Sequence, residues 1–212
     1  MRTAIILAGG SSTRMSGDKG LMELSGEPLV SRVVNRVSPL VDEVLLVLGS
    51  EGQRQTYSGL LGSEDVRLLV DLFGTGSPLV GALTGFKASQ AEYALVTACD
   101  MPFISPRVVG LLFDESEDRD GAFFEWPNGW IEPLLAVYRV EPSLRIAKEL
   151  YREENLRLRM IMKRLPDARS IPISVLKGMD PDLLSLFDAD TEGSLVEAEK
   201  ILEKMGLMDP GV

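Results

Sequence analysis

Gly9, Gly10, Arg14 and Lys19 are the residues of this chain best suited to grip a polyphosphate. They fall within Leu-Ala-Gly-Gly-Ser-Ser-Thr-Arg-Met-Ser-Gly-Asp-Lys-Gly, residues 7–20, directly after the apolar run at 4–7. Glycine lets a backbone approach a ligand closely and accepts positive φ. Backbone N–H groups in such a loop can align on phosphate oxygens, while Arg14 and Lys19 neutralise charge. Neither common phosphate fingerprint applies. Lys19 is preceded by Asp18 and followed by Gly20, which breaks a Walker loop, and Gly9-Gly10-Ser11 breaks the dinucleotide spacing. A bare Gly/Ser loop is often a mere connector. The strand before it and the fixed placement of Arg14 and Lys19 favour a phosphate site here.

Carboxylates at the ends of apolar runs supply the complementary chemistry. Asp100 follows the run at 93–99 and is the first choice for a metal ligand that bridges phosphate oxygens; its other reading is a turn or cap before Pro102. Asp190, with Asp188 nearby, offers a second carboxylate or, equally, an N-cap for the last helix. Asp71 could accept hydrogen bonds from a base edge such as guanine N1–H and N2–H₂, or close a turn. Trp126 and Trp130 flank a turn and either stack on a planar heterocycle or, the favoured reading, pack on the sheet. Arg157, Arg159, Lys163 and Arg164 either hold a second anion or form a solvated helix face, again the favoured reading.

Composition removes several chemistries. The chain of 212 residues has no histidine, which eliminates Ser-His-Asp hydrolysis, His proton shuttles and His-ligated metals. One cysteine, Cys99, excludes an intrachain disulfide and a multi-thiolate zinc site, and reads as a small buried residue. A catalytic metal must therefore sit on oxygen, which favours Mg²⁺. A net charge of −10 argues against broad nucleic-acid binding. A mean hydropathy of +0.09 and the lack of a long uncharged apolar segment argue against a membrane span. Without a secretory h-region at the N-terminus, a cytoplasmic location is expected.

Placing these groups requires strands alternating with helices. Apolar runs at 4–7, 44–48, 66–70 and 93–97 predict strands, with helices over 28–40, 51–60 and 79–89. Right-handed βαβ units and a mainly parallel sheet follow, with ligands expected at the carboxyl ends of the strands. Pro106 suits the first turn of a helix through residue 112, and 114–120 reads as a solvated helix end and turn. Further on, strands are expected at 121–125, 133–139 and 168–176, and helices at 141–153, 156–165 and 191–206. No repeat or low-complexity linker divides the chain, so residues 1–212 are expected to form a single α/β domain.

Together these residues resemble the molybdenum cofactor guanylyltransferases, within the wider nucleotidyltransferase group. The family's Leu-Ala-Gly-Gly followed by Arg-Met-Gly-x-Asp-Lys is similar to residues 7–10 and 14–19. Its Gly-Glu-Pro-Leu, Pro-Leu-Val-Gly-Ala-Leu and Pro-Cys-Asp-x-Pro-Phe/Tyr resemble residues 26–29, 78–83 and 98–103, and residues 132–138 and 188–195 continue the likeness. The resemblance implies a three-layer, Rossmann-like (GT-A-like) fold with a mainly parallel central sheet. It implies that Leu7, Ala8, Gly9, Gly10 and Lys19 bind GTP, that Asp71 belongs to the nucleotide site, and that Asp100 binds both GTP and Mg²⁺. Catalysis would fall to Arg14, Lys19 and Asp100, with Asp190 as a further metal ligand and Trp130 and Glu132 toward the pterin. The implied partners are GTP and molybdopterin, with transient contact to other cofactor-biosynthesis proteins and no nucleic acid or membrane.

The implied reaction transfers GMP to the terminal phosphate of molybdopterin and releases pyrophosphate. Alternatives are CMP transfer to molybdopterin, nucleotidyl transfer to a sugar phosphate, or a nucleotide-binding regulator without catalysis. The chain departs from the family pattern at Ser16 in the loop and at Gly49, where an asparagine is frequent. Asp188, Asp190 and Glu192 also depart, and make the tail closer to that of related cytidylyltransferases.

Overall fold

The computed structural model describes residues 1–9, 18–61, 66–74 and 76–206, so Gly10, Arg14 and Ser16 lie outside the described residues. Short apolar runs become strands buried on both faces, because successive side chains point to opposite sides. In β1 (Arg2–Leu7), Ala4 and Ile6 enter one core and Ile5 the other. A small hairpin of β2 (Glu23–Leu24) and β3 (Glu27–Pro28) leads into α1 (Leu29–Val37). The helix expected over 28–40 tightens into a 3₁₀ turn at Ser38–Leu40, where Pro39 has no N–H to continue the ladder.

β4 (Glu43–Leu48), α2 (Glu51–Leu60), β5 (Val66–Val70), α3 (Pro78–Ala88), β6 (Tyr93–Ala98) and α4 (Pro106–Glu115) follow the expected alternation. β7 (Gly121–Glu125) and β8 (Ile131–Arg139) form an antiparallel hairpin, succeeded by α5 (Val140–Arg152) and α6 (Arg159–Arg164). α6 is shorter than the 156–165 expected, because Asn155 closes a turn by accepting from the Arg157 N–H. The strand expected over 168–176 is corrected: β9 (Ala168–Pro172) stops at the proline and α7 (Ile173–Met179) begins. Ile173 and Leu176 are three residues apart and bury in the same core, a spacing that a helix satisfies and a strand does not. α8 (Glu192–Met205) ends the described chain, closed by Gly206 in the left-handed region.

The seven-stranded sheet has the order β5-β4-β1-β6-β8-β7-β9. β5, β4, β1 and β6 are mutually parallel; β8 runs antiparallel to β6 and β7, and β9 is parallel to β7. From β1 the chain winds outward through β4 and β5, then crosses back to lay β6 on the other side of β1. That reversal opens a crevice at the carboxyl ends of β1 and β6. One face of the sheet is covered by α1, α4 and α7, the other by α3, α5 and α6, giving three layers. A third cluster joins Leu24, Leu29 and Phe103 to Ala189, Ala198 and Leu202, pinning α8 beside the crevice.

Candidate active site

The crevice is lined by Leu7, Ala8 and Gly9 from the end of β1, Asp71 after β5, and Asp100 after β6. Backbone bonds continue the sheet past the strand ends: Ala8 N–H to Val47 O at 2.8 Å, Cys99 N–H to Leu7 O at 3.1 Å, and Asp71 N–H to Leu48 O at 2.7 Å. These fix the positions from which the functional side chains depart. Gly9 and Gly49 meet where the β1 and β4 ends converge. A Cβ on Gly49 would lie 2.7 Å from the Gly9 carbonyl oxygen, so an asparagine there, frequent in the resembling family, has no room without a backbone shift.

Lys19 reaches across from the loop exit, its Nζ 3.2 Å from Asp100 Oδ2. Asp100 is three residues short of Phe103, whose ring anchors the third cluster. Asp71 is 8% exposed, and its Oδ1 accepts from the Phe73 N–H at 3.0 Å. Thus it closes a turn and faces the crevice at once, and the two readings of Asp71 are compatible. Cys99 is buried, and burial first, then the nearby Asp100 and Asp18 carboxylates, push its thiol well up, against the opposing effect of Lys19. It is a packing residue at working pH.

The tail completes the wall. Ala189 N–H donates to the Asp100 carbonyl at 2.8 Å, and its methyl is fully buried in the third cluster. Its neighbours Asp188 and Asp190 line the crevice instead. The N-cap of α8 is Thr191, not Asp190: Thr191 and Ser194 cap one another's backbone N–H groups. Asp190 lines the crevice wall. Burial, then Asp100 and Asp190, raise the Asp188 carboxyl to about 6, with Lys19 pulling the other way.

That concentration of carboxylates suits a hard divalent cation. Among the described residues no three acidic or thiol side chains form a ready cage. Mg²⁺ is usually held by one or two carboxylates and substrate phosphates, so Asp100 with Asp190 is a fitting donor set.

Beyond the crevice, Trp126 packs against the core and its Nε1 donates to Glu132 Oε1 at 2.5 Å. Glu132 is close enough to raise the Asp188 carboxyl further. The sheet-packing reading fails for Trp130, which is 47% exposed in the turn between β7 and β8. The Arg159 guanidinium lies 4.5 Å over its ring, so Arg159 is not simply solvated. Arg164 pairs with Glu153 at 2.5 Å on the surface.

A sequence profile of the MobA-like NTP transferase domain matches residues 4–168. The chain belongs to that family. A probable molybdenum cofactor guanylyltransferase of Natronomonas pharaonis is 35% identical over 158 residues, 74% of this chain and 77% of that protein. Another from Methanosarcina acetivorans is 32% identical over 195 residues, 90% of this chain and 86% of that one. The crystal structure of molybdopterin-guanine dinucleotide biosynthesis protein A from Archaeoglobus fulgidus superposes with a TM-score of 0.81 at 26% identity. It covers 97% of this chain and 100% of its own.

As a MobA-like NTP transferase, the chain is an enzyme, and the crevice is where its strand order reverses. Sequence reading placed Leu7, Ala8, Gly9, Lys19, Asp71, Asp100 and Asp190 in it, and these do converge. Gly76, Ser77 and Pro78 also line it, from the turn before α3. Reading by strand ends missed Gln53 and Tyr57, which sit on α2 and reach the loop exit through Asp18. The available signal was Tyr57 itself, the one buried side chain of an otherwise polar helix.

Proposed function

We propose that this chain transfers GMP from GTP to the terminal phosphate of molybdopterin, forming the guanine dinucleotide and pyrophosphate. The observation that carries the proposal is the Lys19–Asp100 pair, 3.2 Å apart at the crevice where the strand order reverses. The names of the relatives from N. pharaonis and M. acetivorans support the choice of substrate.

The acceptor phosphate is already anionic near neutral pH, its second pKa being about 6. No general base is needed, in keeping with a chain that has no histidine. Backbone N–H groups after β1 and the Lys19 ammonium hold the triphosphate in line for attack at the α-phosphorus. Asp100 and Asp190 would hold Mg²⁺, which supplies charge neutralisation at the phosphate oxygens. Asp71 accepts from the guanine edge. Arg14 adds a second cation from the loop. Trp130 and Glu132, beyond the crevice lining, would contact the pterin of the acceptor.

A panel decides among bases: protein, Mg²⁺ and molybdopterin with each of GTP, CTP, ATP and UTP, read by pyrophosphate release. GTP is expected to dominate. Dominance by CTP would overturn the guanine assignment and favour the cytidylyl reading that Asp188 and Asp190 suggest. GTP binding without pyrophosphate release would overturn molybdopterin as the acceptor.

A further inference from the structure

Helix α2 has one buried side chain, Tyr57, and the hydroxyl of that residue donates to Asp18 Oδ1 at 2.7 Å. Four residues earlier on the same face, Gln53 Nε2 donates to Asp18 Oδ2 at 2.6 Å. Each carboxylate oxygen of Asp18 thus has a donor from α2. Asp18 in turn is the N-cap of the 3₁₀ turn Lys19–Leu21: its Oδ1 accepts from the Gly20 N–H at 3.1 Å, and its carbonyl from the Leu21 N–H at 3.1 Å. The turn begins with Lys19, whose Nζ meets Asp100.

Gln53 does more than hold Asp18. Its Oε1 accepts from the Gly49 N–H at 2.7 Å, and its Nε2 reaches the Ala8 carbonyl at 3.3 Å. One carboxamide therefore ties together the end of β1, the end of β4 and the exit of the phosphate loop. Gly20 lies so close to the phenol that a Cβ there would collide with the Tyr57 hydroxyl. A helix with little other buried surface is spending its single aromatic anchor on this junction.

We propose that Tyr57 and Gln53 are positioning residues that clamp Asp18 and thereby aim the Lys19 ammonium at the triphosphate beside Asp100. The clamp rests on the reading of Lys19 as a phosphate-binding cation. Neither α2 side chain touches substrate; Tyr57 acts through Asp18, and Gln53 through Asp18 together with the Ala8 and Gly49 backbone. Their contribution belongs to the transition state, where a misplaced cation costs most, and so falls on kcat more than on KM for GTP.

The test combines Tyr57→Phe, Gln53→Ala and Asp18→Ala with the corresponding double variants, assayed for pyrophosphate release with GTP, Mg²⁺ and molybdopterin. Tyr57→Phe keeps the packed ring and removes only the donor. Losing one donor to a charged partner is expected to lower kcat/KM about tenfold or more, mainly in kcat. Because Tyr57 acts through Asp18, adding Tyr57→Phe to Asp18→Ala should cost little further. Additive losses in the Tyr57→Phe, Asp18→Ala pair, or an unchanged kcat in Tyr57→Phe, would overturn the clamp.

Amide exchange gives a readout that needs no turnover. The Gly20 amide should exchange faster in Tyr57→Phe and Gln53→Ala while β1 amides keep their protection. Should the wild-type protein release no pyrophosphate from any nucleotide, the functional reading fails, and Gly20 exchange alone decides the clamp. Unchanged protection there overturns it.

Discussion

At the scale of single residues, the crevice works by charge placement, and the pair Lys19 and Asp100 is where charge is most closely set. Their side chains are 26% and 13% exposed, so solvent screens the pair only in part. Lys19→Ala removes a cation aimed at phosphate oxygens, and Asp100→Ala removes the carboxylate best placed for the metal. Each is expected to lower pyrophosphate release about 10²–10³-fold, the usual cost of one lost transition-state contact of this type. Circular dichroism and thermal midpoint should stay near wild type, because neither side chain belongs to either core. Turnover within a few-fold of wild type in either variant would remove the pair from the mechanism. Both residues were legible in the sequence, since a carboxylate after a strand and a lysine after a glycine-rich loop have positions dictated by local pattern. Trp130 was not, because whether a tryptophan in a hairpin turn packs or projects depends on tertiary neighbours such as Arg159, which a local pattern does not reveal.

At the scale of elements, the approach of α3 to β1 sets the shape of the crevice floor. Eight consecutive α3 residues, from Leu79 to Phe86, are buried. A Cβ on Gly85 would sit 2.5 Å from Ile5 Cγ2, and one on Gly81 would sit 3.0 Å from Leu7 Cδ2. Two effects oppose each other in Gly85→Ala. Helix propensity favours alanine by about 1 kcal/mol. Overpacking against Ile5, which is fully buried and held in the sheet, costs about 1–3 kcal/mol. The clash is expected to win, so Gly85→Ala lowers the urea midpoint, and adding Ile5→Ala, which removes Cγ2, should cost less than the sum of the two single losses. A higher midpoint in the single variant would mean that Ile5 yields and that α3 does not need the close contact. The sequence revealed α3 as a helix from its run of apolar residues, but not this contact, which arises from pairing across some eighty residues. The same limit applies to residues 168–176. Their apolar pattern fits a strand throughout, and only the shared core of Ile173 and Leu176 turns the second half into α7.

At the scale of the whole molecule, two phenols are buried deeply enough to couple folding to pH. Tyr138 is fully buried in the core beneath α3 and α5, its ring 5.5 Å from that of Phe86, and its hydroxyl donates to the Pro133 carbonyl at 2.9 Å. Tyr57 is fully buried under α2. Burial pushes both phenols well above their ordinary value, and Asp18 adds to the effect at Tyr57. In the unfolded chain both would titrate near 10. Below that pH the two states hold the same phenolic protons, and this source of stability is fully present. Above it the unfolded chain loses protons that the native state keeps, so stability must fall as pH rises. Each phenol contributes a slope of about 1.4 kcal/mol per pH unit in that range. Urea midpoints are therefore expected to hold level between about pH 7, above the raised Asp188 carboxyl, and about pH 8.5, where the buried Cys99 thiol begins to add its share. They drop steeply beyond about 10. Tyr138→Phe separates this from general alkaline effects. It should lose about 1 kcal/mol at pH 7 with its hydrogen bond, yet fall less steeply above pH 10 by one phenol's share. A variant that tracks the wild-type slope would show that the Tyr138 phenol ionises in the folded protein, and that the core beneath α3 and α5 opens to hydroxide before the molecule unfolds.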